Sequence, residues 1–182
     1  MRRLFASFLC ALSLAACGMG GDARAPSDPQ LDALFSQLAE TPDDAAAASI
    51  EQQIWARWAE SGSATVDVLL ERARAAETAG DNELAVQFLD QASDLAPNYA
   101  EPWNRRASIF YQDEDYAGAI SAIQETLKRE PRHFGALGGL GLIYEELGQE
   151  RAALEAFRAA LAVHPPMLYL GFVGFLVPCA FA

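Results

Sequence analysis

Lysine is almost missing from this chain. Lys128 is the only one in 182 residues, and thirteen basic side chains face twenty-five acidic ones, for a formal net charge of −12. A chain with no basic face cannot neutralise phosphates, which excludes nucleic acid as a partner, and its body should stand off from anionic headgroups. Cysteine is as scarce, with Cys10, Cys17 and Cys179 alone. No disulfide framework can be built from these, so stability has to come from an apolar core. The two histidines, His133 and His164, have no histidine or cysteine beside them at metal-ligand spacing. No serine stands in a nucleophile elbow and no glycine-rich stretch has phosphate-loop form. Gly135, Gly138, Gly139 and Gly141 fall inside a helical pattern with no preceding strand, where close helix packing is their natural use. These absences argue against an enzyme, and no cofactor, metal or small-molecule substrate is expected.

What the chain has is a period. Pro97, Pro131 and Pro165 stand 34 residues apart, and Ala85, Ala119 and Ala153 keep the same spacing ahead of them. Counted from Val66, Ala100 and Phe134, the fourth position of each unit is Leu69, Trp103 and Leu137, and the eleventh is Ala76, Phe110 and Tyr144. The last unit adds Leu140-Gly141, Gly148, Phe157 and Ala160 at matching offsets. This pattern resembles the tetratricopeptide repeat, a hairpin of two antiparallel helices. The resemblance covers residues 66–165 and implies an all-α fold: an antiparallel helix-hairpin solenoid of three repeats at 66–99, 100–133 and 134–166. Small residues such as Ala107 and Gly141 let the two helices of a unit approach, and larger apolar side chains fill the space left. No unit buries its face alone, so stacking supplies the stability.

The turns agree with the period. Gly80-Asp81 and Gly148-Gln149 fall between first and second helices, where a C-terminal glycine and a new helix start are wanted. The middle unit has Asp113-Glu114-Asp115 instead, with Asp115 placed to cap the helix beginning at Tyr116. A calcium loop spreads its ligands over about twelve residues around a glycine, so this triplet reads as a solvated turn.

The amino terminus has a different purpose. Arg2 and Arg3 precede an apolar stretch from Leu4 to Ala16, which has the form of a secretory signal and is short for a membrane span. It ends in Leu14-Ala15-Ala16-Cys17, which resembles the lipobox of bacterial lipoproteins and implies a signal peptide over 1–16 and lipidation of Cys17. A multiply acylated cysteine would hold the protein on a membrane, at about 0.8 kcal/mol per buried methylene. Ordinary cleavage at a small-residue site, releasing a soluble periplasmic protein, is the alternative. Residues 17–30, rich in glycine, alanine, proline and aspartate, suit a flexible tether.

Helical patterns begin after it. Pro29 suits a first turn, and Leu31, Leu34, Phe35 and Leu38 share one face. A second helix is expected with Thr41 as cap, Pro42 just inside and acids following. Ile50, Ile54 and Trp58 line one side of it, with Trp55 adjacent. Residues 31–62 therefore read as an N-terminal cap whose two tryptophans cover the first repeat. At the other end, Met167 to Ala182 is uncharged and broken by Gly171, Gly174 and Pro178, where a repeat array should end on a helix with a polar face. Membrane insertion, an apolar plug or partner-docking segment, and a frameshifted end compete for this tail. The abrupt change of composition where the repeats finish favours the frameshift.

The repeat family lines its concave side mainly with first helices, at repeat positions 2, 5, 9, 12 and 13. Those slots hold Asp67, Leu70, Arg74, Glu77 and Thr78, then Glu101, Asn104, Ser108, Tyr111 and Gln112, then Gly135, Gly138, Leu142, Glu145 and Glu146. Arg74, Glu101, Asn104, Ser108, Tyr111, Leu142 and Glu145 are the expected partner-binding residues, with Asn104 suited to a peptide backbone and Tyr111 to a flat apolar contact. Chains that clamp a carboxylate tail need basic residues where Gly135 and Gly139 stand, so that ligand is not expected. The resemblance implies a non-catalytic scaffold or adaptor, anchored to a bacterial membrane through Cys17 on its periplasmic side, that holds a protein or extended peptide in the groove. A soluble periplasmic helical protein with a structural or self-associating role is the competing reading.

Overall fold

The computed structural model describes residues 28–164, Pro42 excepted. The signal over 1–16, Cys17, nearly all of the tether and the tail from 167 lie outside the described residues. Eight helices make up the rest: α1 Pro29–Glu40, α2 Asp44–Ala59, α3 Ala64–Thr78, α4 Asn82–Leu95, α5 Glu101–Gln112, α6 Tyr116–Arg129, α7 Phe134–Glu146 and α8 Glu150–Val163. Among the described residues there is no strand. The last six helices pair as hairpins α3/α4, α5/α6 and α7/α8, and successive hairpins meet through α4 against α5 and α6 against α7. The fold is the expected all-α solenoid of three units preceded by two helices.

Close helix approach explains the small residues of the period. Ala73 and Ala107, on the first helices, and Ala85 and Ala119, on the second, are fully buried, with Leu89 and Ile123 filling the space beside them. In the last unit Gly141 stands where Ala73 and Ala107 stand, because Phe157 lies directly over it. A Cβ there would sit 2.7 Å from Phe157 Cζ and closer still to two other ring atoms. Neighbouring units are also tied at their turns. The Arg129 guanidinium donates through Nε to the Pro97 carbonyl at 2.6 Å and lies 4.7 Å over the Trp103 ring.

Within the hairpins, Gly80 and Gly148 take left-handed φ values of 75° and 67°. Asp81 and Asp115 cap the helices that follow, accepting from the Leu84 and Gly118 amides at 3.0 Å. The middle turn places Glu114 at φ 61°, in the slot the other units give to glycine. A side chain in that region costs about 1–2 kcal/mol, part of which glycine's larger unfolded-state entropy offsets. Glu114→Gly should therefore stabilise the protein by about 0.5–1 kcal/mol, read as a higher midpoint in urea unfolding. Unchanged or lower stability would show that the carboxylate is doing something there.

The amino-terminal pair departs from expectation in three ways. Helix α1 begins at Pro29, in the first-turn position expected of that proline but inside the range 17–30 given to the tether, because the Asp28 carboxylate accepts from the Gln30 and Leu31 amides at 3.0 and 3.2 Å. Thr41 does not cap α2. It ends α1, its hydroxyl donating to the Gln37 carbonyl at 2.6 Å, and Asp43 caps α2 by accepting from the Ala45 amide at 3.2 Å. The third departure concerns what α2 covers, and it shapes the site.

Candidate interaction groove

The groove is built on α3, α5 and α7, and a single arginine spans its first half. Arg105 of α5 donates to the Leu70 carbonyl at 3.0 Å and to the Glu77 carboxylate at 2.8 Å, both on α3. Partial desolvation and two anchor points fix the spacing of the first two units. Of the residues expected to bind a partner, Arg74 is exposed and pairs with Glu71 one turn away at 2.6 Å. Asn104 is buried, and its side-chain amide donates to Glu101 at 3.4 Å, so it has less to offer a peptide backbone than its slot suggests. Ser108 is half-buried and donates back to the Asn104 carbonyl at 3.3 Å. Tyr111 packs 5.9 Å from the Tyr116 ring. Leu142 is half-buried and Glu145 exposed on α7. The structure thus brings Glu101, Asn104 and Ser108 together, with the others spread along the groove.

Sequence reasoning missed the role of α2. The helix is about 24 Å long at 1.5 Å per residue, and it lies across the amino-terminal ends of α5 and α7, where one repeat turns into the next. Trp55 and Trp58 do not join the apolar clusters of the first repeat. Trp55 packs edge-on against Phe134 with centroids 5.2 Å apart, and Trp58 stacks on His133 at 4.1 Å and 10°. The Trp55 ring reaches Gly135, where a Cβ would stand 2.6 Å from its Cη2. Gly135 is a groove position, so the chain's own indole occupies that slot. Beyond it, His164 at the end of α8 meets Glu51 at 3.2 Å, and Arg132 joins Asp32 at 2.8 Å while lying 4.4 Å over Phe35. The reason is complementarity: Phe134 completes the apolar cluster of Leu31, Leu34, Phe35, Leu38, Ile50, Ile54 and Trp58.

This contact is imperfectly satisfied. Six buried side-chain polar atoms among the described residues lack a hydrogen-bond partner, and Trp58 Nε1, Tyr99 Oη, His133 Nε2 and His164 Nδ1 all belong to residues along or beneath α2. His133 Nδ1 accepts from the Ala136 amide at 3.1 Å, so the neutral ring carries its proton on Nε2, 3.7 Å from Glu101. Burial, reinforced by Glu101 and Asp67, pushes the Tyr99 hydroxyl well above its ordinary pKa and keeps it protonated. Arg57, Trp58 and Glu60 of the α2 end, Tyr99, Glu101 and His133 also border a cavity of about 130 Å³.

The Glu51–His164 pair gives this contact a pH dependence. Burial pushes the Glu51 carboxyl up, but hydrogen bonds from His164 and Trp55 outweigh it, and the group ends below its ordinary value of 4.5. With the folded value depressed, the unfolded state binds more protons at acid pH. The contribution is therefore present above pH 4.5 and lost as pH falls further. Tryptophan emission should shift to the red below that pH while helical circular dichroism persists, and Glu51→Gln should remove the acid-dependent part of the shift.

Among the described residues no helix is long and apolar enough to cross a membrane, and no cluster of three or more His, Cys, Asp or Glu side chains could hold a metal. Three helix hairpins in register, with their first helices sharing one face, define a helical-repeat protein. Tetratricopeptide repeats match over residues 66–99 and 104–167. A TPR repeat-containing protein of Rhizobium etli is 41% identical over 144 residues, covering 78% of this chain and 71% of that protein. The chain belongs to the tetratricopeptide repeat family, whose arrays are scaffolds for protein–protein interaction. Protein bimA of Emericella nidulans is 27% identical over 85 residues, 47% of this chain but 10% of its own length. Among solved structures, MamA aligns with a TM-score of 0.49 and 18% identity over 84% of this chain and 88% of its own.

The signal for the α2 contact was present at one offset. Tyr99 and His133 both end their repeats, and Glu101 and Gly135 both occupy the second position of the next. Rings with polar edges beside each inter-repeat turn mark the side that α2 covers.

Proposed function

We propose that this chain is a non-catalytic adaptor held at a bacterial membrane through lipidated Cys17 on the periplasmic side, and that it grips a protein or extended peptide in the groove of α3, α5 and α7. The observation that carries the groove is the spacing lock of Arg105 onto Leu70 and Glu77. It keeps the first two units aligned as a preformed surface, which lowers the ordering cost of binding. Arg74, Ser108, Tyr111, Leu142 and Glu145 offer charged, polar and aromatic contacts along it. Support for the anchor is the Leu14-Ala15-Ala16-Cys17 sequence and the acidic body, which leaves membrane attachment to the lipid.

In-cell crosslinking of an internally tagged chain, followed by mass spectrometry, tests the groove. One dominant partner should be recovered and should be lost from an Arg74→Ala, Tyr111→Ala variant. Recovery of only further copies of the chain would favour a self-associating structural role. Radiolabelled palmitate tests the anchor separately: incorporation should disappear in Cys17→Ser, and label that survives the substitution would remove the lipid claim.

A further inference from the structure

We propose that the surface beneath α2, formed by the junction of the second and third repeats and the end of α8, is a second docking surface. Its partner is an amphipathic helix carrying an aromatic pair three residues apart and an acid four residues before it, and α2 is the displaceable resident occupant. The inference rests on the scaffold reading and names a class of partner for the end of the groove.

The repeat side of the surface is shaped for such a helix. Gly135 leaves the floor open for an indole, Phe134 and Val163 supply the apolar wall, and His133 offers a ring to stack on. His164 faces the acid and Arg132 an outer carboxylate. Helix α2 meets these requirements with Trp55, Trp58 and Glu51, and α1 supplies Asp32.

Three further observations make the resident helix replaceable. The α1/α2 hairpin has an apolar cluster of its own in which Phe134 is the one buried side chain contributed by the repeats. Four of its contact residues keep a buried polar atom unpaired, three of them on the repeat side, at Tyr99, His133 and His164. A partner that supplies acceptors to Tyr99 Oη and His133 Nε2 and a donor to His164 Nδ1 gains what α2 leaves unmade. The hairpin also continues into α3 through residues 60–63, where Gly62 takes φ 71° with open space around it. Moving the hairpin aside alters that turn and leaves the three repeats intact. The hairpin itself precedes the residues that match the repeat family.

The test uses the full chain in detergent and a fluorescein-labelled synthetic peptide of residues 43–60, followed by anisotropy. The peptide should bind the Trp55→Ala, Trp58→Ala variant at least tenfold more tightly than wild type, since those substitutions weaken the resident and leave its surface unchanged. Adding Gly135→Leu to that variant should abolish binding by filling the indole slot. Absent binding to both chains, equal binding to both, or binding that survives Gly135→Leu would each overturn the proposal. Hydrogen exchange of the wild-type chain needs no substitution: amides of α1 and α2 should exchange at least tenfold faster than those of α5, and equal protection would contradict a displaceable hairpin. A groove partner lost with Tyr111→Ala in a chain that fails these tests would leave the scaffold reading standing and this surface rejected.

Discussion

Alanine at Gly141 is expected to destabilise the array by about 2 kcal/mol, through overpacking that typically costs about 1–3 kcal/mol. Helix propensity alone predicts the opposite sign, because replacing a glycine inside a helix with alanine gains about 1 kcal/mol. The sign of the measured change therefore decides which effect wins. The structure gives the answer to packing, since the new methyl would stand 2.7 Å from Phe157 Cζ and nearer to two other atoms of a ring wedged between α7 and α8. At about 2–4 °C per kcal/mol for a chain of this size, the melting temperature should fall by about 4–8 °C. Phe157→Leu in the same chain should recover part of the loss, because the shorter side chain vacates the space the methyl needs. A stabilised Gly141→Ala variant, or a double mutant that loses the sum of both single changes, would show that α7 and α8 can separate without cost.

The contrast between this site and α2 shows what was legible in the sequence. Ala73, Ala107 and Gly141 occupy one slot of a repeating unit, and every copy faces the same local demand, so the period alone located the helix crossings. The turns were legible for the same reason, Gly80 and Gly148 marking the left-handed position that Glu114 fills in the middle unit. The placement of α2 was not. Its amphipathic face, Ile50, Ile54 and Trp58, showed that something must be covered, but an apolar face carries no address. The surface it meets is assembled from Phe134, Gly135 and His164, about eighty to more than a hundred residues further along the chain. The rule that a cap covers the nearest repeat failed because Phe134 and the rings beside it complement Trp55 and Trp58. Capping failed more locally at Thr41, where threonine and Asp43 both suit a helix start and the threonine was already engaged in ending α1. Asn104 was placed on the right helix, yet its burial and its bond to Glu101 depend on neighbours that repeat position does not specify.

Phe134→Ala should have a large effect, because this one buried ring of the repeats completes the apolar cluster of the α1/α2 hairpin. Phe134 is 2% exposed, and its neighbours include Phe35, Trp55, Trp58 and His164 at centroid distances of 4.7 to 6.5 Å. Truncating a buried phenylalanine costs about 3–5 kcal/mol. Here the loss falls on the one buried side chain that the repeats contribute to the hairpin's apolar cluster, so the structure should respond unevenly. Leu89→Ala provides the comparison, since Leu89 is equally buried but lies within the first repeat, packed among Ala73, Ala85 and Ile109. Its removal should lower the stability of α3–α5 and leave the tryptophan emission of α2 unchanged before unfolding. Phe134→Ala should instead shift that emission to the red under native conditions, with Trp103 contributing a constant background. It should also remove exchange protection from α1 and α2 while α3–α6 remain protected, because stacked repeats draw their stability from nearest neighbours. Two transitions should then replace one in urea, the first reporting release of the hairpin. A single transition with uniform loss of protection across all eight helices would mean that α2 is an integral part of the solenoid. A stability loss below about 1 kcal/mol would mean that the rings around Phe134 close the gap when it is gone.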